Sequence, residues 1–109
     1  MKWLFIPLIL ISTLANAETT FLKKDQSFKS ARTSILKHGW KPVKNPDPST
    51  LFGVDKMLYR AGYKEVNACA MDIAQCALLY KRSGQCLSLF IHGETIADMT
   101  VVSWTNECQ

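Results

Sequence analysis

The chain is poor in the residues and patterns that most enzyme sites need. Among its 109 residues there are two histidines, His38 and His92. No G-x-S-x-G, H-E-x-x-H or phosphate-loop pattern occurs. The carboxylates Asp72, Glu94 and Asp98 are scattered, and nothing in the sequence pairs them for acid–base work. No C-x2-C pair and no H-x3-H stands near the cysteines, which argues against zinc. Neither histidine is set beside a nucleophile in a recognisable order. The expectation is therefore a protein that is not an enzyme, with no catalytic residue, metal or cofactor.

Long hydrophobic runs are also scarce. The one apolar run lies at the start, where Lys2 precedes Trp3 to Ile11 and Leu14, and Ala15-Asn16-Ala17 follows. It is shorter than the roughly 20 residues needed to span a bilayer. A positive start, a short apolar stretch and a small-x-small site are the marks of a secretory signal peptide. Residues 1–17 are expected to be cleaved and residues 18–109 to form one domain, placed in the periplasm or secreted. No later segment approaches spanning length, so no membrane span is expected after cleavage. Five glycines, four prolines and 48 % hydrophobic residues exclude collagen-like and low-complexity chains. Export makes nucleic acid an improbable partner and another envelope or secreted protein the natural one.

Charge is unevenly spread. Residues 18–64 hold 10 basic and 4 acidic residues, whereas residues 65–109 hold 2 and 5. The basic set Lys29, Arg32, Lys37, Lys41 and Lys44 is a candidate anion-binding surface. The plainer reading is a solvated helix face and a basic loop.

Four cysteines remain after the leader: Cys69, Cys76, Cys86 and Cys108. An even count in a short exported chain implies two disulfides. Of three pairings, Cys69–Cys76 and Cys86–Cys108 are favoured. The first closes a local loop and the second ties the C-terminus to the sheet. A domain of this size buries only about 60–65 % of its unfolded surface, so cross-links matter to it.

The pattern predicts an α+β fold, an N-terminal helix packed on an antiparallel sheet of three to four strands. Residues 18–24 read as a frayed start. Asp25 or Ser27 can cap a helix running to about His38, with Phe28, Ala31 and Ile35 on one stripe. Gly39 and Trp40 suit a left-handed helix stop in which Trp40 meets Ile35. Residues 51–62 read equally as a loop or as a short helix with Leu51, Val54, Met57 and Leu58 on one face, ended by Gly62. Tyr63 to Ala68 reads as a strand and 69–76 as a cross-linked loop. The rear holds strands at Ala77–Arg82, Cys86–His92 and Ile96–Trp104, with a two-residue turn at Ser83-Gly84. Matching apolar residues across the strands pairs Tyr80 with Leu87 and Leu78 with Leu89. It also pairs Leu89 with Met99 and Leu87 with Val101. One sheet face is then Leu78, Tyr80, Leu87, Leu89, Ile91, Ala97, Met99 and Val101, the expected core. The other face carries Phe90, His92 and Trp104, candidates for protein binding. Either the disulfide and loops cover that face, or a partner does.

The early helix, the Gly-Trp-x-Pro stop at Gly39 to Pro42, the Glu-Val-x-x-Cys segment at Glu65 to Cys69 and the cysteine-tied hairpin resemble small exported bacterial proteins. In outline the plan is similar to PepSY-like and β-lactamase-inhibitor-like domains. Inhibition or binding is what that resemblance implies, and it carries over no individual residue. The first functional expectation is an exported protein-binding module of inhibitor or immunity type. The alternative is a cell-envelope surface module binding anionic polymer or lipid through its basic N-terminal half.

Overall fold

A computed structural model describes residues 19–70 and 72–108. The expected signal peptide lies outside these residues.

Helix α1 spans Phe28–Lys37. The Ser27 side chain accepts the Ser30 amide at its start. Phe28, Ala31 and Ile35 are fully buried, so the apolar stripe faces the core. The helix stops at Gly39, whose φ is +89°. The Trp40 amide then reaches the Ile35 carbonyl (3.2 Å) and the Gly39 amide reaches Leu36 (3.1 Å), the paired bonds of a Schellman motif. A second helix, α2, spans Val54–Arg60 and settles the ambiguity over 51–62. It ends in the same way, with Gly62 at φ +104°, Tyr63 bonded to Leu58 (3.0 Å) and Gly62 to Tyr59 (3.1 Å).

The sheet has five antiparallel strands rather than three to four: β1 (Lys41–Pro42), β2 (Val66–Ala70), β3 (Gln75–Arg82), β4 (Gln85–His92) and β5 (Thr100–Thr105). The extra pairing comes from β1 and β2, which share the outer edge of β3. The segment 69–76 is accordingly part of a hairpin, in which Cys69 and Cys76 stand directly opposite and are bonded. Cys86–Cys108 forms the second bond. Strands β3 and β4 pair as expected, Tyr80 with Leu87 and Leu78 with Leu89, around the Ser83-Gly84 turn.

The last strand departs from expectation. Residues Ile96–Asp98 form a 3-10 turn, so β5 starts only at Thr100 and Ala97 is exposed instead of buried. Val101 pairs with Ile91, not Leu87. Leu89 pairs with Trp104, not Met99: the longer connection through the 3-10 turn moves β5 by four positions, and the register shift between Phe90 and Ile91 adds one more. An irregularity of this kind inserts a residue and reverses the alternation beyond it. The expected core otherwise holds: Leu78, Tyr80, Leu87, Leu89, Ile91, Met99 and Val101 are all fully buried. Residues 19–24 are not frayed. Leu22 joins the core, and Phe21 stacks on the His38 ring at 4.0 Å.

Between β1 and β2 the chain makes an excursion that leaves and returns at one residue. The Val43 amide donates to the Leu79 carbonyl (3.0 Å), and the Leu79 amide donates to Glu65 (3.2 Å). The Asn45 amide closes the neck on Lys64 (2.8 Å). The Asn45 side chain, itself buried, donates to the carbonyls of Val66 (3.0 Å) and Asn67 (3.3 Å). Residues 44–64 thus form a separate lobe containing α2. It docks on the core through Leu51 and Leu58.

Candidate functional site

The expected sites come first. Phe90 is half-buried and His92 is exposed at the end of β4. Trp104 does not share their face. The shifted register places it opposite Leu89, where it packs against the core cluster beside Lys24, Val102 and Ser103. The structure therefore does not assemble Phe90, His92 and Trp104 into one surface. The C-terminal tail covers part of the opposite face. Ser88 Oγ donates to the Glu107 carbonyl (2.7 Å), the Asn106 side-chain Nδ2 donates to the Cys86 carbonyl (3.1 Å), and both Cys86 and Ser88 are buried.

Of the basic set, Lys29, Lys37, Lys41 and Lys44 are exposed. Arg32 is committed elsewhere. Its Nε lies 2.5 Å and its Nη2 3.2 Å from the Glu65 carboxylate. Tyr80 Oη donates to the same carboxylate at 2.6 Å. Glu65 and Tyr80 are buried, and the Arg32 guanidinium lies 4.9 Å from the Tyr63 ring centroid. Hydrogen bonding to Glu65 raises Arg32 above its ordinary range. Burial, reinforced by the Glu65 charge, pushes the Tyr80 phenol well above the usual tyrosine range. The three groups clamp α1 to the sheet and to the neck of the lobe, leaving Arg32 little charge to offer an outside anion.

The residues that do gather at a surface lie on the lobe. Phe52, Gly53, Lys56, Met57, Arg60 and Ala61 line an open groove of about 640 Å³. From Gly53 onward these positions follow the i, i+3, i+4, i+7, i+8 spacing of one helical face. Phe52 forms the wall before the helix. It is 69 % exposed, and Met57 is also exposed. A large aromatic in water normally collapses onto its surroundings. Here its backbone is pinned. One oxygen of the Asp55 carboxylate accepts the amides of Phe52 (3.1 Å), Gly53 (2.8 Å) and Lys56 (2.8 Å). Asp55 is itself buried. It serves as a positioning residue, satisfying free amides at the helix start and fixing the backbone at Phe52.

The sequence reading grouped Met57 with Leu51, Val54 and Leu58 on one face of a helix that stood level with a loop, and did not single out Phe52, Lys56 or Arg60. The available signal was the wheel itself. If Leu51, Val54 and Leu58 point inward, then 53, 56 and 60 must point away, with 57 on the flank. The uncertainty between helix and loop hid that consequence.

Among the described residues no three His, Cys, Asp or Glu side chains gather as metal ligands would. No helix among them is long and apolar enough to cross a membrane. Two disulfides in so small an α+β domain are typical of extracellular or periplasmic proteins. Compared with protein families, curated proteins and solved structures, the chain matches none.

Proposed function

We propose that this chain is an exported, non-enzymatic protein-binding module that docks another envelope or secreted protein in the groove along α2. The observation that carries this reading is Phe52, 69 % exposed on a backbone pinned by the buried Asp55 carboxylate. A backbone already fixed beneath an exposed aromatic has less freedom left to lose on binding, and aromatic anchors concentrate interface energy. Met57 beside it is an adaptable apolar neighbour. The inhibitor or immunity role belongs to the same reading, because a small cross-linked domain with an exposed aromatic on a fixed backbone is suited to occupying a partner's surface.

The test is affinity capture from periplasmic and culture-supernatant fractions. Immobilised wild type is compared with a Phe52→Ser, Met57→Ser variant and with Trp104→Ala. A protein retained by wild type and by Trp104→Ala, but lost from the groove variant, is the expected result. Identical recovery by wild type and groove variant refutes the assignment. Loss confined to Trp104→Ala moves the site to β5.

A further inference from the structure

We propose that the partner's docking element is an acidic polypeptide segment, with carboxylates for Lys56 and Arg60 and an apolar side chain seated between Phe52 and Met57. This rests on the reading of the groove as a protein-docking site and adds the chemistry of its occupant.

The argument begins with charge. Lys56 and Arg60 stand one helical turn apart, where like charges repel. Neither has an ion-pair partner among the described residues, whose one salt bridge is Arg32–Glu65. Residues 52–64 contain three basic residues and one acidic residue, Asp55. That carboxylate is buried and occupied by backbone amides. Lys64 stands over the Tyr59 ring at 4.2 Å. The groove therefore presents two unneutralised cations and no exposed anion of its own. A ligand carboxylate would relieve their mutual repulsion, and Arg60 can take one through two parallel N–H bonds.

Shape supplies the apolar half of the specification. Gly53 and Ala61 leave the lining low, while Phe52 and Met57 rise from it. That is room for a side chain, framed by apolar groups and edged with positive charge. A lipid surface fits less well. Helix α2 has seven residues, about 10 Å of axis. Helices that lie on membranes use a longer, continuous apolar face. The surface here is concave and shows two large apolar side chains.

The experiment uses isotope-labelled protein and three probes. These are a blocked peptide of alternating glutamate and leucine, its lysine-for-glutamate counterpart, and phosphatidylglycerol vesicles. The acidic peptide should shift the amide signals of Phe52, Gly53, Lys56, Met57, Arg60 and Ala61. Its Kd should rise about fivefold or more as salt goes from about 50 to about 300 mM. Lys56→Glu with Arg60→Glu should weaken it at least about tenfold while leaving the far-UV spectrum unchanged. If the lysine peptide binds the same residues equally well, the acidic-partner proposal fails and the docking reading stands. If the acidic peptide's shifts fall elsewhere, or Phe52→Ser leaves its binding intact, both fail. If vesicles bind and the acidic peptide does not, the proposal is overturned in favour of an anionic lipid surface.

Discussion

Replacing Arg32 by Met should cost the fold about 3 kcal/mol. The substitution keeps most of the side-chain volume and removes the charge. Glu65 is 1 % exposed, and its carboxylate would lose two of its three side-chain donors, Nε and Nη2 of Arg32. Breaking a buried ion pair from one side typically costs about 3–5 kcal/mol, because the other charge stays behind uncompensated. The Arg32 side chain is 22 % exposed, which lets some water approach and sets the expectation at the lower end. A domain of this size has roughly 5–13 kcal/mol in total, so the loss would be plain in a urea titration followed by tryptophan fluorescence. The decisive comparison is the triple variant Arg32→Met, Glu65→Leu, Tyr80→Phe. It removes every member of the polar cluster and should return to within about 1 kcal/mol of wild type. A cost below about 1 kcal/mol for Arg32→Met, or a triple variant as unstable as the single, would refute the account of this cluster as a mutually dependent clamp.

Alkaline titration should single out Tyr80. Below about pH 10 Tyr80 is protonated in both folded and unfolded chains and contributes no slope. Above it the unfolded phenol ionises first, because the folded one is held higher, so stability falls by up to about 1.4 kcal/mol per pH unit. Absorbance at 295 nm should show Tyr80 ionising only as the protein unfolds, and a Tyr80→Phe variant with an unchanged titration would contradict this. Replacing Cys86 and Cys108 together by Ser opens a separation of 22 residues and should cost about 3 kcal/mol, against about 2 kcal/mol for Cys69 with Cys76 at a separation of 7. Equal urea midpoints for the two double variants would remove loop closure as the explanation. Asp55→Ala should cost about 1.5–3 kcal/mol and speed hydrogen exchange at Phe52, Gly53 and Lys56, the three amides it accepts. Unchanged exchange there would mean that Phe52 is not held by this carboxylate.

The legible parts of the fold are those governed by short-range pattern. The Ser27 cap, the Gly39–Trp40 stop and the β3–β4 register all follow from local residues, and all appear where pattern places them. The β5 register does not. Apolar matching assumed one continuous strand from Ile96. A 3-10 turn and a register shift beyond Val101 break the alternation, and no single residue in 96–104 announces either. That one shift moves Trp104 from the candidate binding face to the core side. The Glu65 contacts were invisible for a different reason. Arg32 and Tyr80 lie 33 and 15 residues from Glu65 in sequence, so only the assembled fold brings them together. The groove lay between these cases. Its residues were countable on a helical wheel, but only after deciding that 54–60 is a helix.

The lobe shows how the proposed docking surface can be carried without burdening the sheet. Residue Leu79 both receives the chain leaving β1 and donates to the chain entering β2, so the strand edge is continuous across the excursion. The neck bond from Asn45 to Lys64 and the Asn45 side chain on the β2 carbonyls complete the seal. The helix stops at Gly39 and Gly62 each aim the chain toward β3. They also deliver Trp40 beneath Arg82, 4.7 Å from ring to guanidinium, and Tyr63 beneath Arg32 and against Phe28. Among the described residues, the contacts that seat the lobe lie at its neck or on its inward face, through Leu51 and Leu58 with Val54, Tyr59 and Tyr63 packed beside them. Phe52, Lys56 and Arg60 take no part in them. Their identity is free of the folding requirement, which is the condition under which surface residues can be selected for a partner.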